Sequence, residues 1–159
     1  MKRSLAALAF VVNAVPAVSA DAPQVPYPDG YRDWHHVKSM VIQPGHPLHE
    51  SFGGIHHLYA NRKALEGYRT GKFSAGSVIV FDLLEAPAAD NAITEGKRKV
   101  AGVMHKDARK YSATGGWGYE GFGGGDRSKR VAGANAATAC HACHVARKDH
   151  GYVFSTLRD

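Results

Sequence analysis

Two cysteines among 159 residues are too few to staple a small exported fold, and both sit in one pentapeptide. Stability therefore has to come from apolar burial and from whatever those thiols bind. Long apolar runs are missing as well. The longest near the N-terminus, Leu5 to Val12, is too short to span a bilayer, and nothing later in the chain resembles a membrane helix, so no membrane span is expected in the mature chain. Lys2 and Arg3 precede that run, and Val18-Ser19-Ala20 follows it with small residues of the kind signal peptidase accepts. Met1 to Ala20 is thus expected to be a secretory signal cleaved after Ala20, with an uncleaved anchor as the alternative. Its removal leaves 139 residues, a length suited to one domain with a real core. No internal repeat and no basic stripe is present. The mature chain has 18 basic against 14 acidic residues, an excess better read as a solvated surface than as a nucleic-acid footprint, although it would also suit an acidic redox partner.

What the chain does have is Cys140-His141-Ala142-Cys143-His144. Two residues between the thiols let both sulfurs reach the vinyl-derived carbons of one haem, and His144 follows directly, placed to ligate the iron from the proximal side. One covalently attached haem c per chain is the expected cofactor. A thioredoxin-like thiol pair would expect a strand before the motif, whereas an Ala- and Gly-rich run stands there. Zinc would need a fourth ligand, and there is no second cysteine pair. His141 reads as a filler. Bacterial c-type haems are attached outside the cytoplasmic membrane, so the motif and the export signal point to the same compartment, the periplasm.

Asp21 to Gly30, with Pro23, Pro26 and Pro28, reads as an extended leader, so the domain is expected over residues 31–159. Strands are expected at His36 to Gln43 and Gly54 to Ala60, and a short helix from Asn61, as cap, through Tyr68 until Gly71 stops it. The clearest strand is Ser77 to Leu84. Ile79, Phe81 and Leu83 would face one way and Val78, Val80 and Leu84 the other, so both sides should be covered. A polar loop should occupy Pro87 to Gly96, followed by a strand at Lys99 to Met104 and a helical turn at His105 to Tyr111. Gly116 to Gly121 formally matches a dinucleotide-binding fingerprint, but it neither follows an apolar strand nor opens a suitable helix. An irregular strand is the better reading, its glycines permitting close approach. Ala132 to Lys148 should form the helix that carries the motif, and Tyr152 to Leu157 a final strand. The expected fold is mainly β (α+β): an antiparallel sheet with a few short helices and a C-terminal haem helix.

Function then depends on the sixth position of the iron. Met40 and Met104 lie within strands, where core roles are ordinary. Of the pairs His35-His36 and His56-His57, at most one member each can face inward. At this point Tyr31 to Trp34, Gly67 to Phe73, Val78 to Asp82, Val103 to Tyr111 and the C-terminal motif together resemble the cytochrome P-460 family across essentially the whole mature chain. That resemblance implies a mostly antiparallel β fold, a homodimer, and either hydroxylamine oxidation or the gas binding of the cytochromes c′-beta. In the oxidising members a lysine on the strand matching Ser77 to Leu84 is cross-linked to the haem edge. Phe81 stands there in this chain, and Lys72, nine residues earlier, reads as a solvated turn residue. Phe81 and Phe52 correspond instead to the distal aromatics of cytochromes c′-beta, though each taken alone suits plain core packing equally. The reading is a five-coordinate haem with an apolar distal face that binds NO and CO, for sequestration, transport or detoxification. A hydroxylamine- or NO-oxidising enzyme and a simple electron carrier with Met or His as sixth ligand are the alternatives. Arg147, three residues past His144, would share its helical face, where it either reaches the proximal pocket or a propionate or stands as a solvent-exposed helix arginine.

Overall fold

The computed structural model describes residues 24–159; the expected signal segment Met1 to Ala20 lies outside them. In chain order the strands are β1 (His35–Ile42), β2 (Gly54–Ala60), β3 (Val78–Leu84), a two-strand hairpin of β4 (Ala88–Ala89) and β5 (Ala92–Ile93), β6 (Arg98–Lys106) and β7 (Trp117–Gly123). All but the hairpin form one antiparallel sheet in the order β1-β2-β3-β6-β7. Short helices decorate it: α1 (His49–Phe52), α2 (Arg62–Thr70) and α3 (Ala136–His144). This is the α+β, antiparallel architecture read from the sequence.

Strand register sets out one face of the sheet in three rows. Ala60, Ile79, Met104 and Tyr119 lie side by side in the first. Leu58, Phe81, Gly102 and Gly121 form the second, and Met40, His56, Leu83, Val100 and Gly123 the third. The first row is buried with Val37, Ala64, Trp117 and Val153 under α2, α3 and the C-terminal tail. On the opposite face Val80, Ala101, Val103 and Phe122 pack with Val25, Tyr31 and Tyr111. β3 is therefore covered on both sides, as its largely apolar sequence requires, and its one charged residue, Asp82, is buried in an ion pair with Arg98. The leader contributes more than a lead-in: Val25 is buried in that second core and the Tyr27 ring meets Phe122 edge-on at 4.9 Å.

Local chemistry explains the helix before β3. Asn61 Oδ1 accepts from Ala64 N at 2.9 Å and from Val78 N at 3.1 Å, while its amide donates to Gly76 O at 2.9 Å, so one side chain caps α2 and ties it to β3. Gly71 at φ 73° ends the helix in the left-handed region.

Four expectations need correction. The Pro87 to Gly96 segment contains the β4-β5 hairpin, because Asp90 (φ 51°) and Asn91 (φ 60°) adopt the left-handed pair that a tight hairpin turn demands. His105 and Lys106 complete β6, pairing with Gly118 and Trp117, and the turn begins only at Asp107, whose carboxylate accepts from Arg109 N and Lys110 N. The expected long helix over Ala132 to Lys148 is three pieces: a 3-10 turn at Gly133–Asn135, α3, and a 3-10 stretch at Val145–His150 broken at Arg147 (φ −112°, ψ 23°). Tyr152 to Leu157 is not a strand. It crosses the sheet face instead of lying along an edge, so side chains hold it: Tyr68 Oη to Ser155 Oγ at 2.7 Å and Lys38 Nζ to Thr156 Oγ1 at 3.0 Å.

Candidate functional site

The Ala-rich sequence before the motif favours a helix, and α3 carries Cys140, Cys143 and His144 in its last turn and a half. The two cysteines form no disulfide with each other. Cys140 packs against the first-row core, and burial, with Glu120 and Cys143 adding to it, pushes its thiol pKa up; Cys143 is exposed. His144 Nδ1 donates to the carbonyl of Tyr152 at 2.7 Å. Burial lowers the His144 pKa against the opposing effect of that bond, so the ring is neutral, with its proton on Nδ1 and its lone pair on Nε2. The carbonyl is presented by an abrupt reversal of the chain, with Gly151 at φ 66° followed by Tyr152 at φ 68°, a conformation uncommon for a tyrosine.

Around this ring lie Tyr119, centroid to centroid 5.1 Å, and Phe154, 5.2 Å and edge-on. Arg147 does not share a helical face with His144, since the helix has ended before it. It arrives by another route, its guanidinium standing 5.8 Å over the Phe154 ring. Its Nε is buried and has no hydrogen-bond partner, an arrangement a carboxylate would satisfy. His141 is more than a filler: its ring lies 5.9 Å from Tyr119 and 5.4 Å from Tyr152.

The second row of the sheet carries Phe81, one of the two aromatics expected on the distal side. Phe81 meets Phe52 edge-on at 5.7 Å, so strand register and α1 bring the two sequence-predicted aromatics together. Beside Phe81 the row continues as two glycines, Gly102 and Gly121. A Cβ at Gly102 would meet Phe81 at an ordinary 3.5 Å, so packing within the chain does not require glycine there. The bare backbone is a shelf between Phe81 and the Tyr119 edge of the sheet, of the kind a flat ligand needs. Gly121 is partly roofed by Val131, which a Cβ would strike at 2.7 Å. Paired thiols, an oriented neutral imidazole, an unpaired buried guanidinium N–H and a glycine shelf together fit a covalently attached haem with a propionate near Arg147.

One residue of this neighbourhood was not singled out by its sequence context. His56, in the third row, is 5% exposed and its ring lies 4.5 Å from Phe81. Burial, with His57 nearby, pushes its pKa down to about 4. Of the pair, His56 faces the Phe81 side and His57 the other, where its Nε2 is 2.7 Å from Glu95. His35 and Met40 are exposed, Met104 packs in the first-row core, and Lys72 is a solvated residue after α2. Among the described residues no group of three or more His, Cys, Asp or Glu side chains is placed to hold a metal ion. A cavity of about 510 Å³ lies elsewhere, between the β1-β2 connection and the β4-β5 hairpin, and includes neither His144 nor Phe81. No helix among the described residues is long and apolar enough to cross a membrane.

The sequence profile of the family described as Cytochrome P460 matches residues 28–155, a span that takes in Phe52, Phe81 and the whole Cys140 to His144 motif. No curated protein matches the chain.

Proposed function

Because the chain belongs to the cytochrome P460 family, we propose that it is an exported, periplasmic c-type mono-haem protein that binds NO and CO at an iron held by His144 and capped, on the far side, by Phe81. Haem supplies a redox-active iron with an open coordination position for small ligands. The chain's own residues do the rest. Cys140 and Cys143 tether the group, and Tyr152 fixes the tautomer and aim of His144. Arg147 offers its unpaired N–H to a propionate. Phe81 and Phe52 keep the distal side apolar, which disfavours water and gives diatomic ligands with little need of polar stabilisation the advantage.

The observation that carries this reading is Phe81 itself, in contact with Phe52 and beside the glycine shelf. At the position where hydroxylamine-oxidising relatives are expected to carry a cross-linking lysine, it has no nucleophilic nitrogen. NO sequestration, transport or detoxification as a homodimer fits such a pocket better than hydroxylamine turnover. Replacing Phe81 by alanine in the holoprotein should raise the CO association rate of the ferrous form about tenfold or more by opening the cap. Unchanged rates in stopped-flow measurements would remove Phe81 from the distal face. Hydroxylamine-dependent reduction of an electron acceptor by the unaltered holoprotein would replace this reading with the enzymatic one.

A further inference from the structure

His56 is the feature of the site that an apolar cap does not account for. It lies diagonally across from Phe81, one row on, and is buried beside apolar side chains: its ring is 4.5 Å from that of Phe81, and Leu83 and the partly exposed Met40 are its cross-strand partners. None of these, nor Phe52, can donate a hydrogen bond. Its Nδ1 is buried without a partner, although a buried polar nitrogen left unpaired is costly and in native structures nearly always finds one. The adjacent His57 does not offer one, because it projects to the opposite face toward Ser39 and Glu95. A plain core position here would be filled at lower cost by leucine or phenylalanine. An imidazole buried against the aromatic that caps the iron is better explained by a partner that arrives with the cofactor and its ligand.

We infer that His56 is the ligand-discriminating residue of the distal side: its imidazole N–H donates to iron ligands that present an acceptor atom away from the metal, such as cyanide or nitrite, and affects CO far less. This rests on the placement of the iron opposite Phe81 proposed above. The donor stands behind Phe81 and not in place of it, so the pocket excludes water yet keeps one polar contact for ligands that need it. With its pKa pushed down to about 4 by burial, the imidazole is neutral at neutral pH, where it has one N–H to give and adds no positive charge.

The test compares His56→Leu, His56→Gln and Phe81→Ala as holoproteins. Cyanide affinity is read in the ferric state, and the CO stretching band and CO binding rates in the ferrous state. His56→Leu should weaken cyanide binding about tenfold, the loss of one hydrogen bond. It should move the CO band to higher wavenumber while CO rates stay within about twofold. His56→Gln, which keeps an N–H donor, should recover most of the cyanide affinity. Should the leucine variant fail to accumulate, His56→Phe, of similar shape and without a donor, takes its place with the same expectations. Unchanged cyanide affinity and an unmoved CO band in the donor-less variant would overturn the role of His56; a faster CO association in Phe81→Ala would then leave the cap standing. If Phe81→Ala also changes nothing, the cap and His56 fall together.

Discussion

Tyr152 orients His144 through its backbone carbonyl, so the informative substitution is at its neighbour. Gly151→Ala puts a Cβ on a residue at φ 66° and within 2.9 Å of the Phe73 ring, which should shift the Tyr152 carbonyl away from His144 Nδ1. The expected result is a lower iron–histidine stretching frequency in the ferrous holoprotein by resonance Raman, whereas Tyr152→Phe, which keeps the carbonyl, should leave it unmoved. Buried neutral histidines also set the acid limit of stability. His56 has a folded pKa of about 4, below its ordinary value, and that of His105 is lowered in the same direction by burial. The unfolded chain therefore takes up these protons first, so their contribution is intact above pH 6.5 and is lost as pH falls toward 4. For His56 this is roughly 3 kcal/mol, readable as a lower urea midpoint at pH 4.5 than at pH 7 that His56→Leu should partly abolish. At this scale Cys140, Cys143 and His144 stand out in the sequence because thioether attachment would impose their spacing as a covalent requirement. The Tyr152 carbonyl does not, since a backbone acceptor leaves no mark on residue type. His56 was half legible: alternation said one of the pair faces inward, but which one depends on register.

Within the elements, the clearest stitch runs across the edge of the sheet. Arg158 donates to His36 Nδ1 at 3.2 Å, His36 Nε2 to Ser39 Oγ at 2.8 Å, and Ser39 Oγ to His57 Nδ1 at 2.6 Å, with His57 Nε2 facing Glu95. Arg158 can only donate, so His36 Nδ1 accepts and the His36 ring is neutral with its proton on Nε2, and burial is the first cause that lowers its pKa. Ser39→Ala should therefore cost about 1 kcal/mol in denaturant unfolding and loosen the C-terminal tail. Asn61→Ala, which removes a helix cap and two loop bonds together, should cost about 2 kcal/mol. β1, β2, β3 and α2 were legible from alternation, capping and turn residues. The β4-β5 hairpin was not, because its strands are two residues each and its turn uses Asp90 and Asn91 without a glycine. The tail misled in the other direction. Its apolar and hydroxyl residues suit a strand, but they serve a segment laid across the sheet, with Val153 buried and Ser155 and Thr156 bonded to side chains below.

For the whole molecule, the sheet separates two tasks: one face holds a conventional core with the leader, and the other leaves a glycine-lined shelf between Phe81 and the helix that carries the thiols. Gly102→Leu should fill that shelf, lowering the fraction of chains with covalently attached haem by mass spectrometry, whereas Gly102→Ala, whose Cβ makes only ordinary contacts, should be tolerated. The family and the α+β sheet could be read from spaced motifs and strand periods. The shelf could not, because Gly102 and Gly121 meet only through the pairing of β6 and β7. The optical spectrum of the reduced holoprotein before and after CO tests the capped, open site most directly. A five-coordinate, high-spin spectrum that converts to a carbonyl form, and likewise responds to NO, is the predicted result. A low-spin spectrum with a sharp alpha band, unchanged by CO, would mean that a protein side chain already occupies the sixth position and would contradict the capped, open site.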